Sequence, residues 1–223
     1  VQCAIAFAQR NRRSLIAGDE PFMTLQKLGL TALWLCVTAA AYSANPFLSA
    51  PDDKPVSAKF RGAEWGDNIA QEEIGLSARV VTTRVARMSW GEIYKISFSD
   101  IASRAREARK ISPEYFIVTD NQIILLNEEN NEAAIRKLSA LDKAPEFEKR
   151  DIYGITQGKF DFTEGQWETT IELKDDLCVY QANHESSGHF KKVVWRKGVG
   201  LIEYSAGSGA MADGFRLKRV RTG

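Results

Sequence analysis

The C-terminal half of the chain is a succession of short β-prone runs separated by turn-forming residues, and this constrains the fold more than any other feature. Residues 167–173 (WETTIEL) alternate strictly, which puts Trp167, Thr169, Ile171 and Leu173 on one face of a strand. Lys174, Asp175 and Asp176 turn the chain into 177–182 (LCVYQA), and 183–188 turn it again into 189–195 (HFKKVVW). Arg196, Lys197 and Gly198 lead into 199–204 (VGLIEY), with Gly198 suited to the left-handed position of a short hairpin loop. A last strand is expected over 215–220 (FRLKRV). Strands about ten residues apart with turn signals between them point to an antiparallel meander.

The segment before it adds strands and two short helices. Residues 77–87 (SARVVTTRVAR) and 93–98 (IYKISF) read as strands joined by a turn at 89–92. Residues 115–119 and 122–126 flank Asp120-Asn121, two residues that tolerate positive φ and make a tight hairpin. A helix is expected from Ser99 or Asp100 to Lys110, ended by Ser112-Pro113, and a second over 131–141 with Ala134, Ile135, Leu138 and Leu141 on one side. The fold class expected is mainly β (α+β): an antiparallel meander forming an open or closed barrel-like sheet, with two short helices.

The N-terminal part reads as targeting. Residues 23–27 (MTLQK) make a short positive region, 28–41 (LGLTALWLCVTAAA) carry no charge, and Ala39-Ala40-Ala41 satisfies the small-x-small rule for cleavage. Residues 23–44 are therefore expected to be a signal peptide and 1–22 translated upstream sequence. A retained anchor helix is the alternative, and it would supply the only membrane contact. Residues 45–58, rich in Pro, Ser, Ala and Asp, read as a flexible spacer before a single β-rich domain over 59–223. A periplasmic or secreted location follows. Of the three cysteines, Cys3 and Cys36 fall before residue 45, so a processed chain keeps Cys178 alone and forms no internal disulfide.

Composition excludes some partners. A net charge of +1 offers no general attraction for nucleic acid. Arg104, Arg106, Arg109 and Lys110 form one basic cluster and Arg216, Lys218, Arg219 and Arg221 a second. The second alternates with apolar residues as a charged edge strand does.

Both histidines of the chain lie in His184-Glu185-Ser186-Ser187-Gly188-His189. The zinc motif with histidines four apart works on a helix, where both rings share a face and the glutamate reaches the metal-bound water. Here the spacing is five, and Gly188 with paired serines makes a poor helix centre. A hairpin-type metal site from His184, Glu185 and His189 is the alternative to a polar loop, and it would make the chain a metal-dependent hydrolase. Cys178 shares a strand face with Tyr180, as a small buried hydrophobe does. No nucleophile elbow, phosphate cradle or cofactor motif is present, and no cofactor is implied.

The run 195–204 (WRKGVGLIEY) resembles a strand pair near the C-terminus of several secreted bacterial β-domains and lipoproteins of uncharacterised function. The resemblance covers a small part of the chain. It implies a secreted β-rich barrel or half-barrel and brings no catalytic residues. The leading expectation is a noncatalytic envelope domain that binds a ligand or protein through the open face or loops of its sheet, with Tyr180, His184, His189 and Trp195 as the first candidate surface.

Overall fold

The computed structural model describes residues 45–48, 54–66, 69–103, 109–126, 130–154, 158–209 and 213–221. The leader and the sequence upstream of it lie outside the described residues. Twelve strands form one antiparallel sheet: β1 (Val56–Gly66), β2 (Ile69–Met88), β3 (Gly91–Ser103), β4 (Glu114–Val118), β5 (Ile123–Leu125), β6 (Ile152–Gly154), β7 (Gly158–Glu164), β8 (Trp167–Lys174), β9 (Leu177–His184), β10 (Phe190–Arg196), β11 (Gly200–Ser208) and β12 (Asp213–Arg219). Between β5 and β6 lie one α-helix, α1 (Asn131–Ser139), and a 3-10 turn over Lys149–Asp151.

The strand order is β6-β5-β4-β3-β2-β1-β12-β11-β10-β9-β8-β7. Two meanders, β1 to β6 and β7 to β12, are thus joined side by side through the β1–β12 ladder, which runs from Phe60↔Arg219 to Trp65↔Gly214. The five strands expected from residue 167 onward are present as β8 to β12, β7 is an additional strand ahead of them, and Gly198 takes the expected left-handed conformation at φ +69°. The sheet curls into a half-barrel until β6 packs against β8 and β9. No ladder joins β6 to them; side chains and one thiol do. The Cys178 thiol donates to the Tyr153 carbonyl at 2.8 Å, and a Cβ on Gly154 would stand 3.0 Å from the Cys178 sulfur. Glycine is what allows this approach.

Two apolar clusters follow from the curl. The larger fills the concave face, with Phe60, Tyr94, Phe116, Tyr153, Trp195 and Leu217 almost wholly buried. Phe116 meets Trp195 edge-on at 5.2 Å and Tyr153 edge-on at 5.4 Å. The smaller lies on the convex side, where Ala134, Ile135 and Leu138 of α1 cover Met88, Ile93, Ile117, Ile124 and Leu126. The Asn130 side chain caps α1 by accepting the Ala133 N–H at 3.0 Å. Leu141, expected on this apolar side, lies beyond the helix end and is 42 % exposed.

Three expectations are corrected. The helix placed from Ser99 or Asp100 does not begin there: β3 continues as strand through Ser103, paired to β2 as far as Leu76↔Ser103. A register shift opposite Ser77 and Arg79 absorbs the extra residue at Asp100, which takes φ +49° and accepts a hydrogen bond from Arg79 Nε at 2.7 Å. Ladder partners supplied by the long β2 outweigh local helix propensity there; residues 104–108 are outside the described residues.

The spacer also departs from its expected character. Asn45, Phe47 and Leu48 are buried, Asn45 Nδ2 donates to the carbonyls of Thr119 (2.7 Å) and Gln122 (3.2 Å), and the Pro46 carbonyl accepts the Gly198 N–H at 2.7 Å. Burying Phe47 and Leu48 contributes about 2 kcal/mol each, enough to dock a short polar stretch. Finally, β12 is a central strand and not an edge. Two of its basic residues are met by acids, Arg216 by Glu73 at 3.3 Å and Lys218 by Glu203 at 3.5 Å, and Arg219 donates to the Val199 carbonyl. Arg109 is likewise held by Glu64 at 2.9 Å and Asp213 at 2.6 Å.

Candidate functional site

The concave face of β7–β10 is built in rows fixed by register. One row is Val193, Tyr180, Ile171, Phe160; the next toward the open end is Lys191, Ala182, Thr169, Phe162; beyond it His184 pairs with Trp167. Two rows carry a small side chain on β9: Cys178, between Trp195 and Leu173, where Tyr153 and Gly154 of β6 pack against it, and Ala182. In the second row a methyl group, Ala182, stands between Lys191 and Thr169, so the face dips there.

The dip is the base of a cleft of about 280 Å³. Thr169, Tyr180, Ala182 and Lys191 form one wall. Leu125 of β5, with Arg150 and Asp151 of the 3-10 turn, forms the opposite wall, and Glu164 and Trp167 stand at the mouth. The curl of the sheet makes this cleft: β6 closes the lower seam against Cys178, while the 3-10 turn just before β6 leaves the upper part open.

Two polar systems border it. Lys191 Nζ donates to both Glu114 carboxylate oxygens, at 2.6 and 2.8 Å, and the Tyr204 hydroxyl donates to the same carboxylate. Arg150 lies 2.8 Å from Glu148, 3.8 Å from Asp151 and 3.9 Å from Glu164. Behind the Tyr180 ring, 4.0 Å away between centroids, sits Tyr153, fully buried and with no hydrogen-bond partner for its hydroxyl.

Burial, aided by the charge of Asp151, pushes the Tyr180 hydroxyl up to about 12. Burial and the Glu114 charge hold Tyr153 and Tyr204 well above the usual tyrosine range. Burial alone pushes the Cys178 thiol up to about 12. Each of these groups is therefore protonated near neutral pH and serves as a donor or packing element; a nucleophile would need the opposite shift.

The four residues singled out from sequence separate. Tyr180 forms the cleft floor. His184 lies at the rim with its ring edge-on to Trp167, centroids 4.9 Å apart. His189 is exposed on the far side of the turn. Trp195 belongs to the interior packing, in the row below Tyr180, and is 0 % exposed.

The histidine loop is a tight turn: the His184 N–H donates to the His189 carbonyl at 2.8 Å, and Gly188 takes φ +64°. The two imidazoles come within 6.4 Å, but each Nδ1 is engaged locally. His184 Nδ1 accepts the Ser187 N–H at 3.3 Å, and His189 Nδ1 faces Ser187 Oγ at 2.6 Å. Glu185 is exposed, and among the described residues no three His, Cys, Asp or Glu side chains gather as a metal-ligand set.

Residues not anticipated as site members are Ala182, Thr169, Lys191 and Trp167 on one wall and Leu125, Arg150 and Asp151 on the other. The first group carried a signal, since the inward-facing series of β9 alternates small and large residues, Cys178, Tyr180, Ala182 and His184. The second group had none, because its position depends on the seam. No protein-family model matches the chain, and comparison with curated proteins and with solved structures finds no match.

Proposed function

We propose that this chain is an exported bacterial envelope protein with a noncatalytic, ligand-binding β domain, and that the ligand seats in the cleft over Ala182. The signal-type pattern at 23–44 supports the export half of the reading. The observation that carries the binding half is the cleft over Ala182, bounded by aromatic, hydroxyl and charged groups drawn from three separate segments. A small concave site with a few convergent polar groups is the usual form of a ligand pocket.

The test is a ligand-observed NMR fragment screen on the mature protein and on Ala182→Leu. Leucine would project into the cleft from a position already facing it. Hits lost in Ala182→Leu support the proposal. Hits that bind both proteins equally place binding elsewhere and overturn it.

A further inference from the structure

We infer that the ligand of this cleft is a neutral saccharide, with one sugar ring seated between Trp167, Tyr180 and the Arg150–Asp151 wall. The inference deepens the binding proposal and rests on it. Two observations define the ligand class.

Charge comes first. The cations at the cleft, Lys191 and Arg150, are already matched by Glu114 and by Glu148, Asp151 and Glu164. A charged ligand would gain no free counter-charge: Lys191 is held by both Glu114 oxygens, and the half-exposed Arg150 guanidinium is already shared among three carboxylates. An apolar ligand fails for the converse reason. It would strip water from a carboxylate and a guanidinium without replacing the hydrogen bonds. A hydroxyl both donates and accepts, so a row of hydroxyls satisfies Asp151 and Glu164 as acceptors and Arg150 as donor at once.

Shape is the second observation. Trp167 is 38 % exposed at the mouth and pinned edge-on by His184, and the Tyr180 ring is held at 44° against Tyr153. These rings are amphipathic surfaces held in fixed orientation, suited to the C–H face of a ring whose rim is polar. At about 280 Å³ the space is at the small end for ligand sites and suits one ring, not an extended chain.

The experiment uses the mature chain and four probes: maltotriose, N,N′-diacetylchitobiose, glucuronic acid as the anionic comparator and phenol as the apolar one. Binding is followed by tryptophan fluorescence and titration calorimetry, with melting curves to establish folding of each variant. The expected result is binding of at least one neutral saccharide, weakened tenfold or more by Trp167→Ala and by Ala182→Leu, with Trp167→Tyr within about threefold of the parent. Binding of glucuronic acid or phenol alone, still abolished by Ala182→Leu, overturns the saccharide inference while leaving the cleft as a binding site. No Ala182-dependent binding of any probe overturns both. Saccharide binding indifferent to Trp167→Ala and Ala182→Leu overturns the placement.

Discussion

The Glu114–Lys191–Tyr204 cluster makes a quantitative test of how the half-barrel interior is held. Glu114 is at the start of β4 and Lys191 and Tyr204 are on β10 and β11, so the contact crosses the concave space between the two meanders. The side chains of Lys191 and Glu114 are 22 % and 16 % exposed, a largely buried ion pair with some water contact. Lys191→Met leaves the carboxylate with the Tyr204 hydroxyl alone; we expect a loss of about 2–3 kcal/mol, below the about 3–5 kcal/mol of a fully buried pair because residual solvent screens it. Glu114→Leu orphans both Lys191 and the Tyr204 hydroxyl, and should cost about 3–4 kcal/mol. The double variant contains no unmatched charge and forfeits mainly the tyrosine hydrogen bond, about 1–2 kcal/mol. The coupling between the two sites is then at least about 3 kcal/mol. Urea unfolding followed by tryptophan fluorescence gives each value, with the slope checked for constancy. Losses that add to within about 0.5 kcal/mol would refute the reasoning, because two residues of one buried pair cannot act independently.

Other perturbations test the seam and the buried acids. Tyr180 and Cys178 have their pKa raised to about 12, so each keeps its proton in the fold after the unfolded chain has lost it. Stability contributed by these groups is whole below the unfolded values, 10.0 and 9.0. It falls as pH rises toward about 12, steepening by about 1.4 kcal/mol per pH unit for each such group. Urea midpoints at pH 8, 9, 10 and 11 should be flat and then drop, and an unchanged midpoint at pH 11 counts against the burial of these groups. Gly154→Ala should destabilise by about 1–2 kcal/mol through crowding at the Cys178 sulfur, and Gly154→Ala with Cys178→Ala should cost less than the sum of the two single changes; a melting series that is additive would remove the β6–β9 contact from the account. Cys178 should resist maleimide labelling in native buffer and react at the ordinary rate in urea. Trp195→Phe should lower stability by about 1–3 kcal/mol yet leave ligand binding intact, since Trp195 lies below the cleft floor; loss of binding without loss of stability would contradict that placement.

Local chemistry determined the strands of the C-terminal half. In β8, alternation of apolar and polar residues places Thr169, Ile171 and Leu173 inward, and the turns at 174–176 and 197–199 announce themselves through Asp, Lys and Gly. These are interactions among near neighbours, legible in any window of ten residues. The capped helix α1 is legible for the same reason. The 99–103 stretch is the counter-example: its composition suits a helix, and it becomes strand because β2 is long enough to offer it a ladder.

Tertiary structure decided what local pattern could not express. The pairing of β1 with β12 joins residues more than half the chain apart and turns a basic strand that looks like an edge into a central one. Docking of Phe47 and Leu48, and closure of β6 on Cys178, likewise depend on surfaces that exist only once the sheet has curled. The cleft shows both contributions. Its near wall was written in the alternation of β8, β9 and β10, with Ala182 as the small member. Its far wall, Arg150 and Asp151, was not, because a three-residue turn has no periodicity, and only curvature of the sheet brings it opposite Ala182.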